Sequence, residues 1–238
     1  MIYLEKIRNI HIPSEQEGHL YDVPSIRGLK EMTFRRPVTF LVGENGSGKS
    51  TLAEAIAFKA GFNIEGGGRN FHFDTASEKI GLYEDLKLIR SPYRNKDGFF
   101  FRSETFHGFA SELDRIGLDV HRFYGGKSLH LQSHGEGFLS VFLNRFRQDG
   151  LYIFDEPESG MSLQSLFTLM AKMKQLVDHR SQFIISTHSP VLLAFPEADI
   201  YTLTTDGPVL TPYEETDVYR MTWHFLTNYR EILTDLLR

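Results

Sequence analysis

The 238 residues allow one large domain or two small ones, and a single domain over 1–238 is expected. Lys and Arg total 26 against 31 Asp and Glu, a formal net charge of -5, so the overall charge does not advertise a nucleic-acid binder, although a local basic patch stays open. The absence of cysteine excludes disulfides, thiolate zinc sites, iron–sulfur clusters and a cysteine nucleophile, and no run approaches the roughly 18 apolar residues of a membrane span. The first eight residues also lack the apolar core of a signal peptide, which makes cytoplasmic the expected location, without membrane insertion.

Along the chain, Ile2, Leu4 and Ile7 among polar neighbours predict a half-buried strand over 2–8, and His19 to Gly28 reads as a loop. Val38-Thr-Phe-Leu-Val42 predicts a fully buried strand ending at Gly43. Ser50 to Ala60 is rich in helix formers, with Gly61 where a cap would sit. Three consecutive glycines place an exposed loop over Glu65 to Asn70. Phe99, Phe100 and Phe101 predict a strand or a buried corner, and Phe106, Phe109 and Leu113 give Glu104 to Ile116 helical spacing. After Gly125-Gly126, the apolar face of Phe138, Leu139, Phe142, Leu143 and Phe146 predicts a helix from about Glu136 to Arg147. Leu151 to Phe154 reads as a short buried strand, Leu163, Leu166, Phe167 and Met170 as the next helix, and Gln182 to Ser186 as another buried strand. Residues 214–238 read as a closing helical segment. The alternation implies an α/β fold, a mainly parallel sheet with helices on both faces.

Gly43-Glu-Asn-Gly-Ser-Gly-Lys49-Ser50 fits G-x-x-x-x-G-K-[ST] and stands where that motif works, after a predicted strand and opening a helix. Its glycines let successive N–H groups curl round a phosphate, to which the helix N-terminus adds its positive end. Lys49 then reaches the β and γ phosphates and the Ser50 hydroxyl ligates Mg²⁺, with Asn45, Gly46, Ser47, Gly48 and Thr51 completing the cradle. Asp155, closing the strand Leu151 to Phe154, is the second candidate Mg²⁺ residue, and the adjacent Glu156 is a candidate general base. His188, after the strand 182–186, brings a neutral imidazole to the same edge.

A Walker A motif, a Walker B motif followed at once by glutamate, and this histidine together resemble the ABC-type ATPase superfamily. The resemblance implies an ABC-type P-loop NTPase fold with N-terminal antiparallel strands and a small helical subdomain, roughly 85–148, between the two motifs. It implies ATP and Mg²⁺ as cofactors, with Glu156, His188 and Lys49 catalytic. The family's signature segment, usually Leu-Ser-Gly-Gly-Gln, corresponds here to Gln132-Ser133-His134-Gly135-Glu136-Gly137. That assigns Ser133, Gly135 and Glu136 to phosphate, with His134 in place of a glycine and Glu136 in place of the glutamine. Glu158 to Ser162 stands where the family's D-loop lies. No glutamine occurs between Gln16 and Gln132, so Glu104 is the candidate for the Q-loop position. The family pairs head to tail with ATP between the subunits, which implies an ATP-dependent homodimer.

Gly-Glu-Asn-Gly-Ser-Gly-Lys-Ser-Thr-Leu with Ser-Thr-His-Ser-Pro resembles RecF, SMC and OLD-like ATPases more than transporter subunits. Lys49 and Ser133 lie only 84 residues apart with no sustained heptad run, so no coiled-coil arm is expected. Three roles stay open: a DNA-acting ATPase in repair or defence, a nucleotide-gated switch on a partner such as a nuclease or toxin, and the ATPase of a membrane permease. A DNA surface would draw on Arg35-Arg36, Arg90 to Lys96 and Arg145 to Arg147, and a partner patch on Phe99 to Phe101. For the adenine base, Tyr21, Arg8 and Arg35 are the candidates.

Overall fold

The computed structural model describes residues 1–10, 22–63, 66–67, 82, 84–106, 108, 110–111 and 133–238, with His134 described by its backbone alone. Tyr21, Gln132, Phe109, Leu113, Gly125, Gly126 and most of the triple-glycine loop lie outside the described residues.

Three central strands, β3 (Val38–Val42), β6 (Gly150–Asp155) and β7 (Gln182–Ser186), are buried at every position. A strand covered on both faces reads as a continuous apolar run, which is how these segments read in the sequence. They belong to a six-stranded sheet of order β5-β6-β7-β3-β8-β9. The strands β5 (Asp97–Arg102) through β8 (Asp199–Thr204) in that order pair in parallel, and β9 (Gly207–Leu210) closes one edge antiparallel to β8. A separate antiparallel sheet, β2-β1-β4, is made by β1 (Leu4–Asn9), β2 (Glu31–Thr33) and β4 (Leu86–Arg90).

Strand periodicity divides the core in two. Phe99, Phe101, Tyr152, Phe154, Phe183 and Ile185 face α3 (His134–Arg145), α4 (Leu163–Asp178) and α5 (Pro190–Leu193). Phe101 stacks on Phe138 with ring centroids 3.6 Å apart, and Phe146 on Tyr152 at 4.6 Å. On the other face, Phe100, Leu151, Ile153 and Ile184 join α2 (Lys49–Ala60), α1 (Pro24–Arg27) and the antiparallel sheet. Helix α2 contacts β6 and β7 on one side and β4 on the other, and its Leu52, Ala53, Ala55, Ile56 and Ala57 are all buried.

Several expectations shift. The segment 85–148, expected as a helical insertion, begins with β4 and β5, because the alternating Leu86, Leu88 and the apolar Gly98 to Phe101 satisfy sheet faces. Gly66 and Gly67, expected in an exposed loop, are buried, and Gly67 bridges Phe100. Helix α3 starts two residues before Glu136 because Ser133 caps it, with a reciprocal bond from the Ser133 amide to Glu136. On α4 the buried stripe is Leu166, Leu169, Met173 and Leu176, whereas Leu163 and Phe167 point to solvent. The closing segment is one long helix, α6 (Asp217–Leu236), kinked at Asn228, and its Met221, Trp223, Leu226 and Leu236 are exposed. Among the described residues no helix is long and apolar enough to cross a membrane.

Side chains tie the two sheets together: the Tyr201 hydroxyl of β8 donates to the Thr33 carbonyl of β2 at 2.6 Å, and Gln182 holds β1. Gln182, fully buried at the start of β7, accepts from the Tyr3 and Leu4 amides at 2.7 and 2.9 Å and donates to the Leu4 carbonyl at 2.9 Å. Gln182→Met keeps the volume and strands all three backbone groups, so a loss of about 2 kcal/mol or more is expected from urea denaturation. An unchanged midpoint would contradict this role.

Candidate active site

The register of the parallel strands builds the site. Asp155 lies opposite Ser186, Ser186 opposite Leu41, and Arg102 opposite Asp155, so the loops leaving β3, β6 and β7 emerge side by side at the carboxyl edge of the sheet.

From β3 the chain enters the loop 43–48. Gly46 and Gly48 have φ of 78° and 87°, left-handed conformations that favour glycine. A Cβ on Gly48 would also come within 3.0 Å of Ile26 in α1, whose Ser25 hydroxyl donates to the Ser47 carbonyl. No side chain caps α2 at Gly48, so its first N–H groups stay open to an anion. Lys49 is 5% exposed, and its Nζ donates to the Gly43 and Glu44 carbonyls, both at 2.9 Å. Burial lowers its pKa, against the opposing pull of Glu156, Asp155 and Glu158. Asn45 and Gly46 are exposed at the loop tip, while Ser47, Ser50 and Thr51 are half-buried.

Asp155, buried at the end of β6, accepts from the Ser186 hydroxyl. Glu156 follows with φ of 50°, a backbone conformation unfavourable for a side chain, held by its amide donating to the Ser186 carbonyl at 3.0 Å. His188 Nε2 stands 3.7 Å from Glu156 Oε1. That nitrogen is buried and has no hydrogen-bond partner among the described residues, as is the Ser47 hydroxyl. Burial, then the charge of Lys49, lowers the His188 pKa, with Glu156 and Asp155 opposing.

Two further residues complete the edge, Glu158, which opens the segment matched to the D-loop, and Arg102, which no motif assigned. Glu158 turns its carboxylate under the loop after β7, and burial raises its pKa. Arg102, at the end of β5, reaches Glu54 of α2 at 3.2 Å, Glu104 at 2.8 Å and, through Nε, Asp155 at 3.9 Å. Arg102 belongs to no linear motif, and its only signal was its place at the end of a buried strand; Glu158 was matched to the D-loop segment without a role of its own. Glu104 itself is exposed and held by Arg102.

Ser133, Gly135 and Glu136 sit at the start of α3. The Glu136 carboxylate accepts from the Ser133 amide at 3.1 Å and hydroxyl at 2.8 Å. A Cβ on Gly135 would lie 2.5 Å from the Gly160 carbonyl, so the glycine permits close packing on the turn after β6. Of the cationic candidates, Arg8 pairs with Glu31, Arg36 with Asp199, Lys96 with Asp149 and Arg145 with Asp97; the Arg35 amide also donates to Asp199. Phe99, Phe100 and Phe101 are core, not a surface patch.

The residues fit a nucleotide triphosphate with magnesium. The helix start without a side-chain cap, and Ser47 Oγ and His188 Nε2, buried with no hydrogen-bond partner among the described residues, leave polar groups that an anion could satisfy. Among the described residues no group of three or more His, Asp or Glu can hold a metal. A magnesium ion here would therefore take Ser50 and Asp155 from the protein and its other oxygens from phosphate and water.

Residues 20–112 match the family model described as "AAA domain", and residues 125–194 match a second, "AAA domain, putative AbiEii toxin, Type IV TA system". ABC transporter G family member 51 of Oryza sativa subsp. japonica is 25% identical over 212 residues, 80% of this chain and 15% of that protein. The arabinose import ATP-binding protein AraG of Pseudomonas syringae pv. syringae (strain B728a) is 25% identical over 193 residues, 69% of this chain and 36% of that protein. The chain thus spans well under half the length of these relatives. Among solved structures, cbiO1 from Clostridium perfringens, part of the ABC transporter complex cbiONQ, matches over 97% of both chains with a TM-score of 0.53 and 14% identity, which shows a shared fold.

The lowered pKa of His188 gives a test of this geometry. Its imidazole should titrate below the ordinary 6.5 by NMR, and Lys49→Ala, by removing the neighbouring cation, should move it upward. Because the unfolded chain holds this proton more tightly, the folded state loses stability as pH falls through 6.5 toward the lower native value. An ordinary pKa that ignores Lys49→Ala would contradict the arrangement.

Proposed function

We propose that the chain is a P-loop domain of the ABC/AAA type that binds ATP with magnesium and hydrolyses it in a head-to-tail homodimer, a reading supported by the two family models, the ABC relatives and the shared fold. The observation that carries this reading is the convergence of Lys49, Asp155, Glu156 and His188 on adjacent strand ends, with His188 3.7 Å from Glu156.

Lys49 exchanges its two carbonyl partners for phosphate oxygens, and because burial has already stripped its water, that exchange costs little further desolvation. Ser50 and Asp155 would hold magnesium, which when bound would neutralise charge on the phosphates. Glu156, held on its strained turn, takes the proton of the attacking water. His188, neutral at physiological pH, donates from Nε2 toward the transferred phosphate. Ser133, Gly135 and Glu136 are assigned to the partner's nucleotide by their match to the signature segment and their place at a helix start.

For the work that hydrolysis drives, we favour the RecF/SMC/OLD-like class, in DNA repair or defence, over a stand-alone switch on a nuclease or toxin. The toxin–antitoxin description of the model matching 125–194 supports a defence setting, and the lack of a Q-loop glutamine counts against coupling to a permease. The ion pairing of Arg36, Lys96 and Arg145 reduces the basic surface, so DNA contact would rest on other cations. A second reading, the ATP-binding subunit of a transporter, is supported by the relatives, which carry transporter names.

The deciding experiment is the solution mass of Glu156→Gln with and without ATP–Mg²⁺, with and without duplex DNA. The variant should bind ATP, lose about 100-fold or more of the hydrolysis rate and run as a dimer only with ATP. A DNA-dependent shift selects the DNA-acting class, and ATP-dependent retention on membranes selects the transporter reading. A monomer under every condition overturns the dimer, and wild-type turnover overturns the role of Glu156. Lys49→Ala should weaken nucleotide binding itself, read by equilibrium binding of labelled ATP.

A further inference from the structure

We propose that Glu158 is the positioning residue that sets His188 against Glu156, acting through the backbone of the turn after β7. The proposal rests on the hydrolytic reading above for its consequence, and on geometry alone for its contacts.

Glu158 Oε1 accepts two short hydrogen bonds, from Thr187 Oγ1 at 2.7 Å and from the His188 amide at 2.6 Å. Thr187 Oγ1 in turn accepts from the Ser189 amide at 3.0 Å, and Ser189 Oγ caps α5 by accepting from the Leu192 amide at 3.3 Å. One carboxylate oxygen therefore organises residues 187–189 and ties them to the next helix. Glu158 is itself fixed in the turn that carries Glu156: the Ser159 amide donates to the Glu156 carbonyl at 3.2 Å and the Met161 amide to the Glu158 carbonyl at 2.9 Å. The Glu156 and His188 turns are thus joined twice. The strand-end bond from the Glu156 amide to the Ser186 carbonyl lies on one side and the Glu158 carboxylate on the other.

The second link is the one that addresses His188. The first joins Glu156 to Ser186, two residues short of the histidine, whereas Glu158 binds the histidine's own amide. Burying this carboxylate is unfavourable, and its Oε2 is buried without a partner, so the group is not there as a solubilising surface charge. Its two donors offset the desolvation and fix the loop in return. A glutamine keeps the Oε1 acceptor without the charge, while an alanine leaves the His188 amide and the Thr187 hydroxyl with no acceptor at this place.

The test compares Glu158→Ala and Glu158→Gln with the wild type in ATP affinity, kcat and the His188 titration of the nucleotide-free protein by NMR. Glu158→Ala should lower kcat about 10- to 100-fold with ATP affinity unchanged, since a shift of about 1 Å in a reacting group has an effect of that order. Its His188 should titrate nearer the ordinary histidine value, and Glu158→Gln should restore both properties toward wild type. In the double variant Glu158→Ala/His188→Ala, turnover should be no lower than in His188→Ala alone. Additive losses, a Gln variant as slow as the Ala variant, or an unmoved His188 titration would each overturn the proposal. If Glu158→Ala is recovered unfolded, Thr187→Val, which removes one of the two donors, should give a smaller loss of the same kind, and wild-type behaviour there would overturn it equally. If the wild-type chain hydrolyses no ATP, the hydrolytic reading fails by itself, and the His188 titration still decides whether Glu158 sets the histidine.

Discussion

Everything at the carboxyl edge of the sheet depends on the parallel register of β6, β7 and β3. With Asp155 opposite Ser186 and Ser186 opposite Leu41, the glycine-rich loop, the acidic turn and the histidine turn start at one level. A slip of one residue would carry Asp155 to the opposite face and bury the wrong half of each strand. The register is strongly specified because both faces are packed: Tyr152, Phe154, Phe183 and Ile185 on one side, Leu151, Ile153 and Ile184 on the other. The site inherits the precision of two hydrophobic cores, although none of its own residues contributes to either.

The site is also an electrostatic balance. Lys49 and Arg102 stand among Asp155, Glu156, Glu158, Glu54 and Glu104, several of them shielded from water. Each buried charge has a stated partner: Lys49 has two carbonyls, Asp155 the Ser186 hydroxyl, and Glu158 the Thr187 hydroxyl and His188 amide. Ser47 Oγ, in the loop after β3, and His188 Nε2, in the turn after β7, are buried without a hydrogen-bond partner among the described residues. That combination of satisfied charges and a few orphaned donors is what a preorganised anion site requires.

Elements whose burial is continuous were legible from the sequence. Val38–Val42 and Gln182–Ser186 were readable to the residue, since an unbroken apolar run admits little else between a turn and a glycine or polar stop. Elements whose burial depends on a distant partner were not. Strand β2 has only three residues, β4 gains its identity from β1, and β8 and β9 complete an edge whose alternation is short. The phase of α4 was misread at Phe167, which lies beside the buried stripe of Leu166, Leu169, Met173 and Leu176, and at Leu163, the exposed first residue of the helix. Gly66 and Gly67 read as loop because glycine permits anything, while their burial follows from the bridge to Phe100.

The sequence by itself determined the glycine-rich loop, the paired acids and the histidine as the candidate site, since the chemistry assigned to them needs fixed residue types at short spacings after buried strands. The ABC-type fold and its mainly parallel sheet were equally implicit in that order of motifs. Only the tertiary structure decided which further residues join them. Arg102 comes from a strand more than fifty residues before Asp155, Glu158 binds an amide thirty residues away, and Gly135 is small because another turn's carbonyl passes over it. Such relations leave no periodic trace, because they arise from chain segments brought together by sheet register rather than by spacing along the chain.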